Sequence, residues 1–111
     1  MNRAAIKLEM IRDRITMNGC KCDLCGNFFR AENMAMHEII ERYRTIGNKK
    51  ARELSFQKEL CSLLCHECHT IASQHEEILW TRNYNRYGQE RVEALVEEFK
   101  ALYPIKIGLP E

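Results

Sequence analysis

Cys20-Lys21-Cys22-Asp23-Leu24-Cys25-Gly26 and Cys65-His66-Glu67-Cys68-His69 are the stretches whose reading decides the fold class of this chain. Each holds a C-x2-C pair, Cys22/Cys25 and Cys65/Cys68, and 39 residues intervene between the two pairs. Four soft thiolates are the set that a tetrahedral structural Zn2+ takes. A spacing of two lets both sulfurs of a pair turn toward one ion, and Gly26 gives the first turn its freedom. In a small chain the binding free energy of such an ion becomes folding free energy. Cys20 is an alternative to Cys22 as ligand, at a spacing of four rather than two, and Cys61 reads as a small buried apolar residue. Cys65-His66-Glu67-Cys68-His69 also fits the C-x-x-C-H pattern of c-type haem attachment, which requires export. A thioredoxin-like pair would need a βαβ pattern that neither stretch has.

Working outward, the 111 residues are expected to form a single domain, with 45% hydrophobic and 30% charged residues. Its divisions are an N-terminal helix (1–18), a zinc-bearing core (19–75) and a helical extension (76–111). No run of eighteen apolar residues suggests a membrane span. The opening Met1-Asn2-Arg3-Ala4-Ala5-Ile6-Lys7-Leu8-Glu9 mixes charges as no secretory signal does, so a cytoplasmic location is expected. In a reducing compartment six cysteines point to metal rather than disulfides. The net charge of +1 divides unevenly: residues 1–75 hold 12 basic and 9 acidic side chains, residues 76–111 hold 5 and 7.

Ala4, Leu8, Ile11 and Ile15 recur at helical spacing and predict an amphipathic helix over Arg3–Thr16, ended by Asn18-Gly19. Phe28 to Ile40 suits a β-ribbon. A helix is expected from the second cysteine pair to about Trp80, with a break over Asn83–Gly88. The clearest helix is Gln89–Leu102, with Val92, Leu95, Val96, Phe99 and Leu102 on one face and Pro104 beyond it. Met10, Met17, Met34 and Met36 read as core filling, and Trp80, Tyr84 and Tyr87 as packing for the last helix. His66 and His75 read as exposed helix residues. Arg42, Arg44, Lys49, Lys50 and Arg52 form a basic loop with a Gly47-Asn48 turn and no acidic residue, suited to neutralising a phosphate backbone. No residue there signals base readout.

Met36-His37-Glu38-Ile39-Ile40 inserts polar chemistry between apolar neighbours, and His69 directly follows the last cysteine. With Cys22-x2-Cys25-Gly26, Arg42 and Leu64-Cys65-x2-Cys68-His69, this pattern resembles the HNH endonuclease family over about residues 19–75, particularly its small zinc-stabilised members from bacteriophages and bacteria. The resemblance implies an α+β protein with a zinc-stapled ββα-metal core, an N-terminal helix and a C-terminal helical extension. It implies hydrolysis of DNA phosphodiester bonds, with double-stranded DNA as partner and the host cytoplasm as location if the chain is phage-encoded. His37 and His69 match the ligands of a catalytic Mg2+, Mn2+ or Ni2+, and Arg42 is placed to contact phosphate. The general-base position falls on Glu38, which becomes base or third ligand. Four residues after His69 stands Ser73, and Glu59 and Leu60 occupy the place of the family's middle Asn. These departures define the alternative: a catalytically degenerate zinc module that binds DNA or a protein partner.

Overall fold

The computed structural model of the protein describes residues 2–41 and 47–111, so Arg42 and Arg44 lie outside the described residues. It is an α+β structure. In chain order come α1 (Arg3–Arg14), β1 (Ile15–Thr16), β2 (Gly19–Lys21), β3 (Phe28–Phe29) and β4 (Ala35–Glu38). There follow α2 (Lys49–Ser55), β5 (Cys61–Leu64), α3 (His66–Ile71), α4 (Glu76–Tyr87) and α5 (Gln89–Leu102). Strands β1, β2 and β3 make a small antiparallel sheet in that order, and β4 pairs antiparallel with β5 in a second sheet.

The expected continuous ribbon over Phe28–Ile40 is therefore split. β3 pairs back onto β2, a short 3-10 turn at Ala31–Asn33 reverses the chain, and β4 finds its partner across the sequence in β5. β5 then leads directly into α3, giving two antiparallel strands followed by a helix. All four residues of β5 are buried.

One cluster of buried side chains draws on all parts of the chain, among them Ile6, Met10, Ile39, Leu60, Leu63, Trp80, Val92 and Phe99. α1 reaches this core by a different stripe from the one its apolar spacing suggests. Ile6, Met10 and Arg14 are buried, while Leu8 and Ile15 are 57% and 53% exposed. The competing stripe wins because it ends in Arg14, whose guanidinium meets Asp23 at 2.7 and 3.0 Å in the interior. A buried ion pair must be satisfied in place, and this one sets the rotation of the helix. α1 also ends earlier than expected, at Arg14, and Asn18-Gly19 belong to the β1–β2 hairpin. Met17 at its tip is fully exposed, unlike Met10, Met34 and Met36, which fill the core as expected.

The helices of the extension also differ from expectation. The helix after the second cysteine pair stops at Ile71, passes through a 3-10 turn at Ala72–Gln74 and restarts at Glu76, so His75 stands at a junction. α4 then runs unbroken through Asn83 to Tyr87. The break is confined to Gly88, whose φ of +97° only glycine adopts easily. Asn83 is tolerated inside this helix because its amide donates to the carbonyls of Glu59 and Cys61, at 3.1 and 2.7 Å. α5 matches the expected boundaries, with Val92, Val96 and Phe99 buried and Leu102 at the exposed end. Among the described residues no helix is long and apolar enough to cross a membrane.

Arg14→Met should lower unfolding stability by about 3–5 kcal/mol, because it strands the Asp23 carboxylate in the interior. Arg86→Ala, which removes a longer contact to the same carboxylate at 3.5 Å, should cost under about 1 kcal/mol. Equal losses in urea titrations of the two variants would contradict this reading of the α1 anchor.

Candidate metal centre

The first knuckle forms where β2 runs out. The Cys22 amide donates to Asn27 O at 2.9 Å, and the Gly26 amide closes back on Cys22 O at 3.0 Å. Gly26 holds φ +76° at the turn. The second knuckle is the start of α3: Cys65 precedes its first turn, Cys68 lies one turn on, and the His69 amide donates to Cys65 O at 2.9 Å. The two are locked together through Asp23. Its amide donates to Leu63 O at 2.9 Å, and the Leu63 amide donates to Asp23 Oδ2 at 2.8 Å.

As a result the sulfurs of Cys22, Cys25, Cys65 and Cys68 all lie within 4.8 Å of one another. Tetrahedral bonds of about 2.3 Å place sulfurs roughly 3.8 Å apart, so the four cysteines fit one Zn2+ with little closure. The thiol chemistry agrees. Burial opposes ionisation of Cys22, but amides of Cys65, Cys25 and Leu24 outweigh it and hold this thiol below its ordinary value. The Cys65 amide lies 3.4 Å from the Cys22 sulfur. Burial pushes the Cys68 thiol well up, and contacts with the other three sulfurs push it further. Four thiolates this close cannot all ionise without a cation among them.

Cys20, the buried middle residue of β2, takes no part in the cluster, so Cys22 is the cysteine placed to be the first ligand. Cys61 is buried, as expected, and burial raises its thiol well above the ordinary value. The haem and redox-pair alternatives do not fit four cysteines gathered at one point.

β4 and α3 bring His37 and His69 together across 31 intervening residues, with ring centroids 5.7 Å apart and planes inclined at 71°. A metal–imidazole bond of about 2.1 Å sets an ion roughly 3.2 Å from each ring centre, so two rings at this separation can share one. Burial, then the nearby His69, holds the His37 imidazole below its ordinary pKa of 6.5, while the charge of Glu41 acts the other way. Neutral imidazole is the form that ligates metal. His37 Nε2 and the hydroxyl of Ser62 are both enclosed and have no hydrogen-bond partner among the described residues. Each such atom costs about 1–3 kcal/mol, and the register places these two residues directly opposite one another on β4 and β5.

Glu38 stands apart from this pair. Successive residues of a strand face opposite ways, and Glu38 is opposite Cys61 on the other face of the sheet. Its carboxylate lies 3.6 Å from Arg3 and 3.3 Å from the Ser55 hydroxyl. Sequence reasoning passed over Glu41 and Ser62. Ser62, a serine within the otherwise apolar Leu60–Leu64, was the one signal that could have been read.

The described part of the basic stretch is a helix rather than a loop. Asn48 caps α2, accepting from the Ala51 amide at 2.9 Å, and donates to Leu102 O at 2.8 Å. Ala51 and Ser55 are buried beneath it, leaving Lys49, Lys50 and Arg52 exposed and without ion pairs among the described residues. α2 packs on α5 and touches Glu38, on the face away from His37. Ser73 is exposed in the 3-10 turn and lies outside α3; His66 is exposed and His75 is half-buried. Beside the second knuckle an open depression of about 540 Å³ is lined by Phe29, Asn33, Cys65, His66 and Glu67, and includes neither His37 nor His69. Among the described residues the four cysteines are the one group of three or more ligand side chains gathered closely enough for a metal. Compared with protein-family models, curated proteins and solved structures, the chain matches none of them.

Purified protein should carry about one zinc per chain by elemental analysis, and Cys22→Ser or Cys68→Ser should abolish cooperative unfolding. A metal-free sample with the same melting curve would exclude a structural zinc. A depressed His37 pKa also has a sign for stability. Below 6.5 the unfolded chain takes up a proton that folded His37 resists, so stability falls on acidification and is regained as pH rises past 6.5. His37→Gln should flatten that slope between pH 7 and 5.5; an unchanged slope would remove His37 from the account.

Proposed function

We propose that the protein is a metal-dependent endonuclease of the HNH type, cleaving phosphodiester bonds of double-stranded DNA. The observation that carries this reading is the meeting of His37 and His69 on a strand–strand–helix unit whose helix begins at a zinc-ready cysteine cluster. The two imidazoles would hold one divalent ion, which would supply Lewis-acid stabilisation of charge on the phosphate. Two nitrogen donors suit Ni2+ or Zn2+ better than Mg2+ or Mn2+, which prefer oxygen. Of the nearby carboxylates, Glu41 is the one whose charge acts on His37, and in this reading it would take the proton from water. Glu38 instead holds Arg3 and the end of α2. Lys49, Lys50 and Arg52, exposed and without ion pairs among the described residues, would serve the DNA backbone away from the cut, where their contribution is salt-dependent and independent of sequence.

The second reading, a non-cleaving module that holds DNA or a protein partner, draws on the want of a third close ligand for His37 and His69 among the described residues. The test is nicking of supercoiled plasmid by zinc-loaded protein with Ni2+, Mn2+ or Mg2+. Nicking should be strongest with Ni2+ and should be lost in His37→Ala and His69→Ala. Glu41→Gln should slow it by about 10²–10⁴-fold, as loss of a general base does. Glu38→Gln should lower thermal stability and leave most of the rate. Absence of nicking by folded protein, with DNA binding retained, would decide for the second reading.

A further inference from the structure

The Ser62 side chain is not among the clustered cysteine ligands and, among the described residues, its hydroxyl makes no hydrogen bond. It is fully buried, and its cross-strand neighbour is His37, whose Nε2 is also enclosed and without a partner among the described residues. Directly opposed residues in an antiparallel pair have Cβ atoms about 4.5–5.5 Å apart, and a serine hydroxyl moves between staggered positions by rotation about one bond. The two atoms are complementary as donor and acceptor, and the residues that carry them are directly opposed. His37 as a whole is only half-buried. With Nε2 enclosed on the Ser62 side of the strand pair, Nδ1 is the nitrogen that this reading gives to a ligand.

We infer that Ser62 is the positioning residue of the histidine pair: its hydroxyl accepts from Nε2–H of His37, fixing the tautomer whose Nδ1 lone pair faces a divalent cation shared with His69. This rests on the two-histidine metal reading above and adds to it which nitrogen ligates and what selects it. Metal-bound histidines generally donate their other N–H to such a partner, and its loss weakens metal binding by about 10–100-fold. A hydroxyl that only filled space would leave metal binding untouched. One that served the native fold would lower stability when removed.

The experiment is calorimetric titration of the zinc-loaded full chain with Ni2+, beside thermal unfolding and long-range 1H–15N spectra of the imidazoles. Wild type should bind one Ni2+, and His37→Ala should lose it. Ser62→Ala should bind about 10–100-fold more weakly, with zinc content unchanged and a melting temperature equal to or above wild type. Ser62→Thr, which keeps the hydroxyl, should restore most of the affinity. Wild-type spectra should show the His37 proton on Nε2, a measurement that needs no variant. Undiminished Ni2+ affinity in Ser62→Ala, or a wild-type proton on Nδ1, would overturn the assignment of Ser62 while leaving the two-histidine site standing. No Ni2+ uptake by folded wild type would overturn both.

Discussion

The buried carboxylate of Asp23 is the contact on which the other parts of the structure depend. It accepts two hydrogen bonds from Arg14 of α1, one from the Leu63 amide of β5, and meets Arg86 of α4. Its backbone donates to Leu63 O and accepts from Arg82 Nε at 3.0 Å. One side chain thus joins the N-terminal helix, the first knuckle, the central strand and the extension. An interior carboxylate is tolerated only when its oxygens are engaged, so its two close partners, Arg14 and the Leu63 amide, must be in place together, while Arg86 at 3.5 Å adds little. Arg14 is further tied to Met10 O and Tyr87, and burial raises the Tyr87 hydroxyl to about 12, with Asp13 accepting its hydrogen bond.

From this anchor the placement of both chemical sites follows. Asp23 stands one residue after Cys22 and grips Leu63, two residues before Cys65, so the clamp that holds the knuckle to β5 also sets one cysteine pair against the other. β5 in turn fixes β4 in register, and α3 starts where β5 ends. The position of His69 is therefore tied to the same strand that positions His37. A zinc ion would close this arrangement from the other end, which is why a 13.1 kDa chain with short sheets can hold two histidines in a set relation.

The strand pair β4–β5 divides the polar residues by parity. His37 and Ser62 share one face, while Glu38 and Cys61 share the other, where Arg3 and Ser55 engage the carboxylate. Adjacency of His37 and Glu38 in sequence suggests a joint role, but a two-residue period makes neighbours in a strand point apart. The same loss of information appears in α1. The stripe with more apolar residues, Ala4, Leu8, Ile11 and Ile15, loses to Ile6, Met10 and Arg14, and the choice between them rests on Asp23, which is no part of the helix. Asn48 looks like a turn residue until the carbonyl of Leu102, 54 positions on, is seen to need its amide.

By itself the sequence determined what is encoded locally: the two C-x2-C pairs as a set suited to one zinc ion, the last helix with its apolar face, and the histidines flanking the second knuckle. Thiolate number and spacing are chemical requirements, and helical periodicity is a local property, so both survive without knowledge of the fold. Only the tertiary structure decided the partner of β4, the buried stripe of α1, the separation of Glu38 from His37, and the opposition of His37 to Ser62. Those outcomes depend on strand register and on where a buried charge finds its counter-charge, and both are settled between segments far apart in the chain.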